Sequence, residues 1–129
     1  MKKGTILIPS GTDSDPDRKH LFVMLNDPVG AEEWVLLASF SKCSEAYFCD
    51  PTCVIEAGES EHPFLVKQSF VRYQKLRIER MDKIRAGIST GEFVEREPLS
   101  DTLFERVLKG VLDSPFSPPK CKKFIATIK

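Results

Sequence analysis

Residues 19–40 read KHLFVMLNDPVGAEEWVLLASF, and this stretch decides the fold. It contains two apolar runs, KHLFVMLN at 19–26 and EWVLLASF at 33–40, separated by an Asn-Asp-Pro turn and a glycine. Short continuous apolar runs that end at turn residues are typical of strands buried on both faces. The stretch therefore predicts a central hairpin.

Shorter extended segments flank this hairpin. Residues 4–9 predict a first strand, and residues 52–55 predict another short strand. Residues 64–79 alternate in polarity, which indicates two extended pieces with a bend near Tyr73 and Gln74. Several short strands in succession predict a small, strongly bent antiparallel sheet.

Helices are predicted only after the strands. Residues 80–86 fit one or two helical turns, with Gly87 as the residue that closes them. Residues 100–112 form the clearest helix, because their apolar residues recur at helical spacing. Either Ser100 or Asp101 can cap the start of this helix.

These elements predict a mainly β fold, a small SH3-like antiparallel barrel with a short helix and a C-terminal amphipathic helix. A chain of 129 residues has the size of one domain. We expect a barrel at residues 1–79, a helical part at 80–114, and a tail rich in proline and lysine at 115–129.

The charge of the chain is balanced overall but not along its length. Residues 1–64 contain 5 basic and 11 acidic side chains, whereas residues 65–129 contain 14 basic and 8 acidic ones. A formal net charge of zero produces no global attraction to nucleic acid or to an anionic membrane. The basic second half nevertheless predicts a local anion-binding face.

The composition also bears on the compartment. No segment has the apolar length of a membrane span, and the first residues lack the pattern of a signal peptide. We expect a cytoplasmic protein with no membrane partner and no cofactor. In a reducing compartment, the four cysteines are expected to remain thiols.

The order of the motifs resembles a known family. A first strand at Gly4-Thr5-Ile6 leads through a polar loop into Arg18-Lys19-His20 and a buried run; the next strand ends at Ser41; Ser69-Phe70-Val71-Arg72 and an amphipathic helix at 99–112 follow. Over residues 4–112, this order resembles the MazF/PemK-like toxins. These toxins are endoribonucleases of toxin–antitoxin pairs and have an SH3-like barrel.

The resemblance implies a function and partners. It implies that the chain cleaves or binds single-stranded RNA, forms a homodimer and binds an antitoxin peptide. Lys19 or His20 stands where the family has an arginine, and Ser41 stands where it has a threonine. The resemblance therefore implies a groove bounded by residues 10–19, Ser41 and residues 72–77.

The residues themselves allow RNA cleavage without a metal. Attack by the 2′-hydroxyl requires a general base, a general acid and a group that stabilises charge on the phosphorus. His20 begins a buried strand beside Lys19 and can lie near a phosphate. The alternative is a hydrogen-bonded histidine at the end of a strand.

A basic extended segment is the candidate RNA surface. Arg72, Lys75 and Arg77 would contact phosphates, and Tyr73 or Phe70 would stack on a base. The same charges are also typical of a solvated strand face.

A second histidine offers another acid or base. His62 precedes Pro63, which favours an extended backbone and a fixed side chain. With Asp50 as the carboxylate that orients it, His62 could transfer a proton. The alternative is a turn histidine, with Asp50 capping its own loop.

Cysteine spacing raises a third hypothesis, a zinc-stabilised small domain. The candidate ligands are Cys43, Cys49, Cys53 and His62. Only Cys49 and Cys53 have the tight spacing of a structural zinc site, and no second tight pair completes it. The hypotheses are therefore an RNA-binding or RNA-cleaving barrel, a non-catalytic barrel that binds a protein or peptide, and a zinc domain.

Overall fold

The computed structural model describes residues 2–9, 18–45, 48–60 and 62–128, and these residues form a sheet with helices packed on it. The strands are β1 (Thr5–Pro9), β2 (Lys19–Met24), β3 (Trp34–Lys42), β4 (Val54–Ile55), β5 (Ser69–Val71), β6 (Arg77–Arg80) and β7 (Val94–Arg96). The helices are α1 (Met81–Thr90), α2 (Asp101–Asp113) and α3 (Pro119–Ile128).

The predicted central hairpin is confirmed. Strands β2 and β3 pair antiparallel, with Phe22 opposite Ser39 and Met24 opposite Leu37. The first strand is also confirmed, because β1 pairs antiparallel with β2. All pairs in the sheet are antiparallel among the residues described.

Strand β3 is long enough to pair with two strands along its other edge. Its first half pairs with β6, where Leu37 lies opposite Arg77. Its last three residues pair with β5, where Ser41 lies opposite Phe70. Between β5 and β6 the chain makes one 3₁₀ turn at Tyr73–Lys75, which confirms the bend predicted there.

The order of strands leaves the sheet open. It runs β4-β5-β3-β2-β1-β7, with β6 also paired to β3, and no described residues join β4 to β7. A small antiparallel sheet with helices is confirmed, but the sheet is not closed into a barrel. With three helices in the described part of the chain, the fold is a mixture of α and β structure rather than mainly β.

The first helix is longer than predicted. It continues past Gly87 to Thr90, and Gly91 ends it with a positive φ of 82°. A Cβ at Gly87 would come within 2.3 Å of the ring of Phe93, so this glycine permits close packing instead of ending the helix.

The second helix is confirmed, and the tail contains a further helix. Ser100 is the N-cap of α2, and its Oγ accepts a hydrogen bond from the Leu103 backbone N–H at 3.3 Å. Helix α3 occupies most of the predicted Pro/Lys tail and buries Cys121 and Ile125. Strand β7 lies between the two predicted helices, where no strand was predicted.

Each face of the sheet carries its own apolar core. One face, here called the α1 face, packs on α1 and includes Ile6, Ile8, Phe22, Met24, Val35 and Leu37. The other face, the α2–α3 face, packs on α2 and α3 and includes Leu21, Val23, Leu36, Ala38 and Phe40. Adjacent strand residues point to opposite faces, so the two sets alternate along β2 and β3.

Helices α1, α2 and α3 contain 10, 13 and 10 residues. Within the described ranges, none of them combines the length and the apolar character that crossing a bilayer requires.

Candidate functional site

His20 lies on the α1 face, at the edge of its apolar core. It is directly opposite Ile8 in the register of β1 and β2, and it is two residues before Phe22 on the same strand. Its side chain is half-buried. Helix α1 therefore covers the apolar core of this face, and His20 lies just outside that core.

Two arginines reach the same region. Arg72 Nε donates a hydrogen bond to Ser39 Oγ at 2.9 Å, and Ser39 lies opposite Phe22 on the α1 face. The guanidinium carbon of Arg77 lies 4.6 Å from the centroid of the Phe22 ring. This distance is typical of a cation–π contact, which fixes the guanidinium above the sheet.

We define the basic cluster as Arg18, His20, Arg72 and Arg77. Burial, followed by the charges of Arg72, Arg18 and Arg77, lowers the pKa of His20 to about 4. Burial, followed by the charges of Arg77 and Arg18, likewise lowers the pKa of Arg72 to about 10. The cluster is therefore a region of mutual repulsion in which His20 is neutral at pH 7.

The arginines of the basic cluster lack acidic partners in the part of the chain that is described. Neither Arg72 nor Arg77 forms an ion pair there, and among the described residues the charges that shift the pKa values of His20 and Arg72 are those of arginines. Half-buried guanidinium groups retain few water contacts, and an anion is the partner that best compensates them.

The other predicted members of this site differ in position. Ser41 is half-buried and lies on the α1 face, two residues beyond Ser39 on β3. Lys19 is exposed and, as the neighbour of His20 on β2, it belongs to the opposite face. Lys75 is exposed in the 3₁₀ turn. Of the polar loop predicted to bound the groove at residues 10–19, residues 10–17 lie outside the described part of the chain.

Tyr73 requires a correction. Its side chain is fully buried, and its hydroxyl donates a hydrogen bond to the Val107 carbonyl at 2.8 Å. Burial raises its pKa, so the phenol stays protonated. A base cannot stack on Tyr73 in this structure, because the 3₁₀ turn directs the ring into the core.

His62 lies on the other side of the sheet from His20. Its Nδ1 accepts a hydrogen bond from the Phe64 N–H at 3.1 Å, and its Nε2 donates one to the Glu97 carbonyl at 2.7 Å. This pattern assigns the proton to Nε2 of a neutral ring. Nε2 is also 3.3 Å from Thr5 Oγ1, and Thr5 pairs with Val23 of the α2–α3 face.

Asp50 does not orient His62, which corrects the predicted pair. Its Oδ1 accepts hydrogen bonds from the Thr52 N–H at 2.9 Å and the Thr52 hydroxyl at 2.6 Å. Its Oδ2 accepts one from Ser114 Oγ at 2.8 Å. Asp50 therefore caps its own turn, as in the alternative interpretation, and ties that turn to the end of α2.

The zinc ligands of the third hypothesis do not form one site. Cys53 is buried in the core of the α2–α3 face, and both ring nitrogens of His62 are hydrogen-bonded elsewhere. Cys43 and Cys49 lie together, with their sulfur atoms 2.7 Å apart. Across the described ranges, no three residues of the types that ligate metals are grouped.

A groove of about 520 Å³ lies beside His62, on the side of the sheet away from the basic cluster. Its residues include Leu103, Glu59 and Arg106, and the last two form an ion pair at 2.7 Å. Glu59 compensates the charge of Arg106, and both ring nitrogens of His62 are hydrogen-bonded. The groove therefore offers fewer groups than the basic cluster for binding an anion or transferring a proton.

Two members of the site were missed at the level of sequence. Ser39 lies within an apolar run, and only its position opposite Phe22 shows that it faces Arg72. Arg18 directly precedes the predicted strand and acts on His20 through its charge. No family model, curated protein or solved structure matches the chain.

Proposed function

We propose that this chain binds single-stranded RNA at the basic cluster and cleaves it without a metal. The observation that supports binding is the group of half-buried positive side chains without carboxylate partners among the described residues. A phosphodiester would compensate this charge. The hydroxyl of half-buried Ser41 adds a hydrogen-bonding group on the same face, whereas Ser39 is fully buried and positions Arg72.

The proposal favours a phosphodiester because of the donors that surround His20. A guanidinium group donates two parallel hydrogen bonds to the oxygens of one phosphate, and it is less strongly hydrated than an ammonium group. Arg72 already uses Nε on Ser39, which fixes the plane of its guanidinium. The remaining donors of Arg72 and those of Arg77 are the proposed phosphate ligands.

In the proposed cleavage step, neutral His20 accepts the proton of a ribose 2′-hydroxyl. The 2′-oxygen attacks the phosphorus, a 2′,3′-cyclic phosphate forms, and the 5′-oxygen leaves with a proton from water. Arg72 and Arg77 stabilise the negative charge that develops on the phosphate oxygens. Water supplies the second proton because His62 lies on the opposite side of the sheet.

The resemblance to MazF/PemK-like toxins extends the proposal to fold relationship and partners. It adds a bent sheet derived from an SH3-like barrel, a homodimer and a cytoplasmic location. It also adds an antitoxin peptide that binds at the basic cluster. The non-catalytic alternative, a protein that binds a peptide partner there, differs in having no action on RNA.

Cleavage is tested by replacing the proposed base. In the presence of a metal chelator, the wild-type protein should cut a labelled single-stranded RNA and leave the 2′-deoxy form of the same oligonucleotide intact. His20→Gln should slow cleavage about 100-fold because a positioned base contributes at least that factor. His62→Gln is the matched control for loss of an imidazole and should retain cleavage, provided that its fold is preserved by circular dichroism.

The outcomes separate the alternatives. Binding of RNA without cleavage by the wild-type protein would reject His20 as a base and leave an RNA-binding protein. Neither binding nor cleavage would contradict the proposal and favour the peptide-binding alternative.

A further inference from the structure

Two cysteines lie together at the end of the central strand β3. The Sγ atoms of Cys43 and Cys49 are 2.7 Å apart, and both residues are half-buried. Cys43 directly follows β3, and its backbone N–H donates to the Gln68 carbonyl at 3.0 Å. The ladder of β3 therefore fixes the position of this thiol.

The second thiol is fixed by different contacts. Cys49 directly precedes Asp50, whose carboxylate is held by Thr52 and Ser114. On its other side, the ring of Phe48 packs edge-on against Phe116 with 4.9 Å between the centroids. The proximity of the two sulfurs thus follows from packing on both sides of Cys49.

We propose that Cys43 and Cys49 form a reversible disulfide, with a small-molecule disulfide of the glutathione class as the oxidant. The thiolate of Cys43 attacks one sulfur of oxidised glutathione, forms a mixed disulfide and releases one glutathione thiolate. The thiolate of Cys49 then attacks the Cys43 sulfur and releases the second glutathione. Two protein thiols lose two protons and two electrons, and one glutathione disulfide becomes two thiols.

The order of these two steps follows from the surroundings of Cys49. Burial, followed by the hydrogen bond and charge of Cys43 and the charge of Asp50, together raise the pKa of Cys49 to about 12. Cys49 therefore has a small thiolate fraction at neutral pH, which disfavours it as the first attacking group. Once Cys43 is in a mixed disulfide, its hydrogen bond and charge no longer raise the pKa of Cys49, and the 2.7 Å between the two sulfur atoms favours attack by the thiolate fraction of Cys49.

The other two cysteines are placed differently. Cys53 is 4% exposed and Cys121 is fully buried, and both belong to the core of the α2–α3 face. Burial is the main cause that raises the pKa of each. They serve as internal controls, because buried thiols of this kind are inert toward exchange. The expected disulfide does not depend on the proposed action on RNA.

The test is to incubate the full chain with oxidised glutathione, block free thiols, digest it and measure each cysteine by mass spectrometry. Labelling of Cys43 and Cys49 should fall together by about tenfold, with a peptide that joins them, while Cys53 and Cys121 stay labelled. Cys49→Ser should trap one glutathione on Cys43, because the resolving thiol is missing.

Three results would overturn the proposal. One is a wild-type chain that keeps four free thiols under these conditions. Another is a chain that accumulates glutathione on Cys43 without the joined peptide. The third is a disulfide that includes Cys53 or Cys121. The wild-type measurement decides between these results even if the serine variant does not fold.

Discussion

The protonation of His20 links the environment of the basic cluster to the stability of the fold. Its pKa is about 4 in the folded protein, against 6.5 as the ordinary value, because of burial and then the charges of Arg72, Arg18 and Arg77. The His20 side chain therefore binds a proton at a higher pH in the unfolded chain than in the folded chain. The stability associated with neutral His20 is present above pH 6.5 and is lost as the pH falls toward 4.

This sign leads to a prediction for His20→Gln. The free energy of unfolding of the wild-type protein, measured with urea, should fall more steeply between pH 6.5 and 4 than that of the variant. The difference between the two proteins isolates His20 from the carboxylates, which titrate in both. A difference that stays constant over this pH range would show that His20 titrates alike in the folded and unfolded chains.

Single residues also show what the sequence could predict about the site. The residue types were informative, since His20, Arg72 and Arg77 are brought together on one face. The predicted pair of Asp50 and His62 was wrong, because short separation along the chain does not determine which groups a turn places in contact. Asp50 bonds to Thr52 and to Ser114, and Ser114 is 64 residues away.

Among the elements, the strands were predicted better than the end of the chain. The central hairpin follows from continuous apolar runs, whose burial determines their pairing. Helix α3 was missed because Pro118 and Pro119 suggested an irregular tail, although proline is well suited to the first turn of a helix. Strand β7 was missed because its three residues, Val94–Arg96, are exposed or half-buried and show no apolar pattern.

Helix α2 and the 3₁₀ turn are joined by one close contact, which supports a second prediction. A Cβ at Gly110 would lie 1.8 Å from the Tyr73 hydroxyl, so Gly110→Ala must displace a ring that is fully buried. Overpacking and the lost hydrogen bond to Val107 outweigh the helix propensity that alanine gains. We expect the variant to lose about 2 kcal/mol of unfolding free energy in urea.

A neighbouring residue provides the control for this substitution. Lys109 is exposed on the same helix, and Lys109→Ala should change stability by less than about 0.5 kcal/mol. Equal unfolding free energies for Gly110→Ala and the wild-type protein would show that the close contact between Gly110 and Tyr73 does not contribute to stability.

In the whole molecule, the sheet separates two regions of different chemistry. The α1 face carries the basic cluster beyond its core, whereas His62 and the groove beside it lie on the side of α2. The charge asymmetry of the sequence anticipated a basic region, but not its composition, because Arg18 and His20 come from the acidic half of the chain. Pairing of β2 with β3 and of β3 with β6 brings them to Arg77.

The most direct test of the central claim is the salt dependence of RNA binding in the wild-type protein and in Arg77→Gln. Affinity for a labelled single-stranded RNA is measured by fluorescence anisotropy at several salt concentrations. Lys109→Gln, which removes an exposed charge from α2, is the matched control.

If Arg77 contacts a phosphate, Arg77→Gln should bind about tenfold more weakly. The slope of log affinity against log salt should also decrease in magnitude by about 0.7. Lys109→Gln should match the wild-type protein in both quantities. Equal affinities and slopes for the wild-type protein and Arg77→Gln would contradict the account, because RNA would then bind away from the basic cluster.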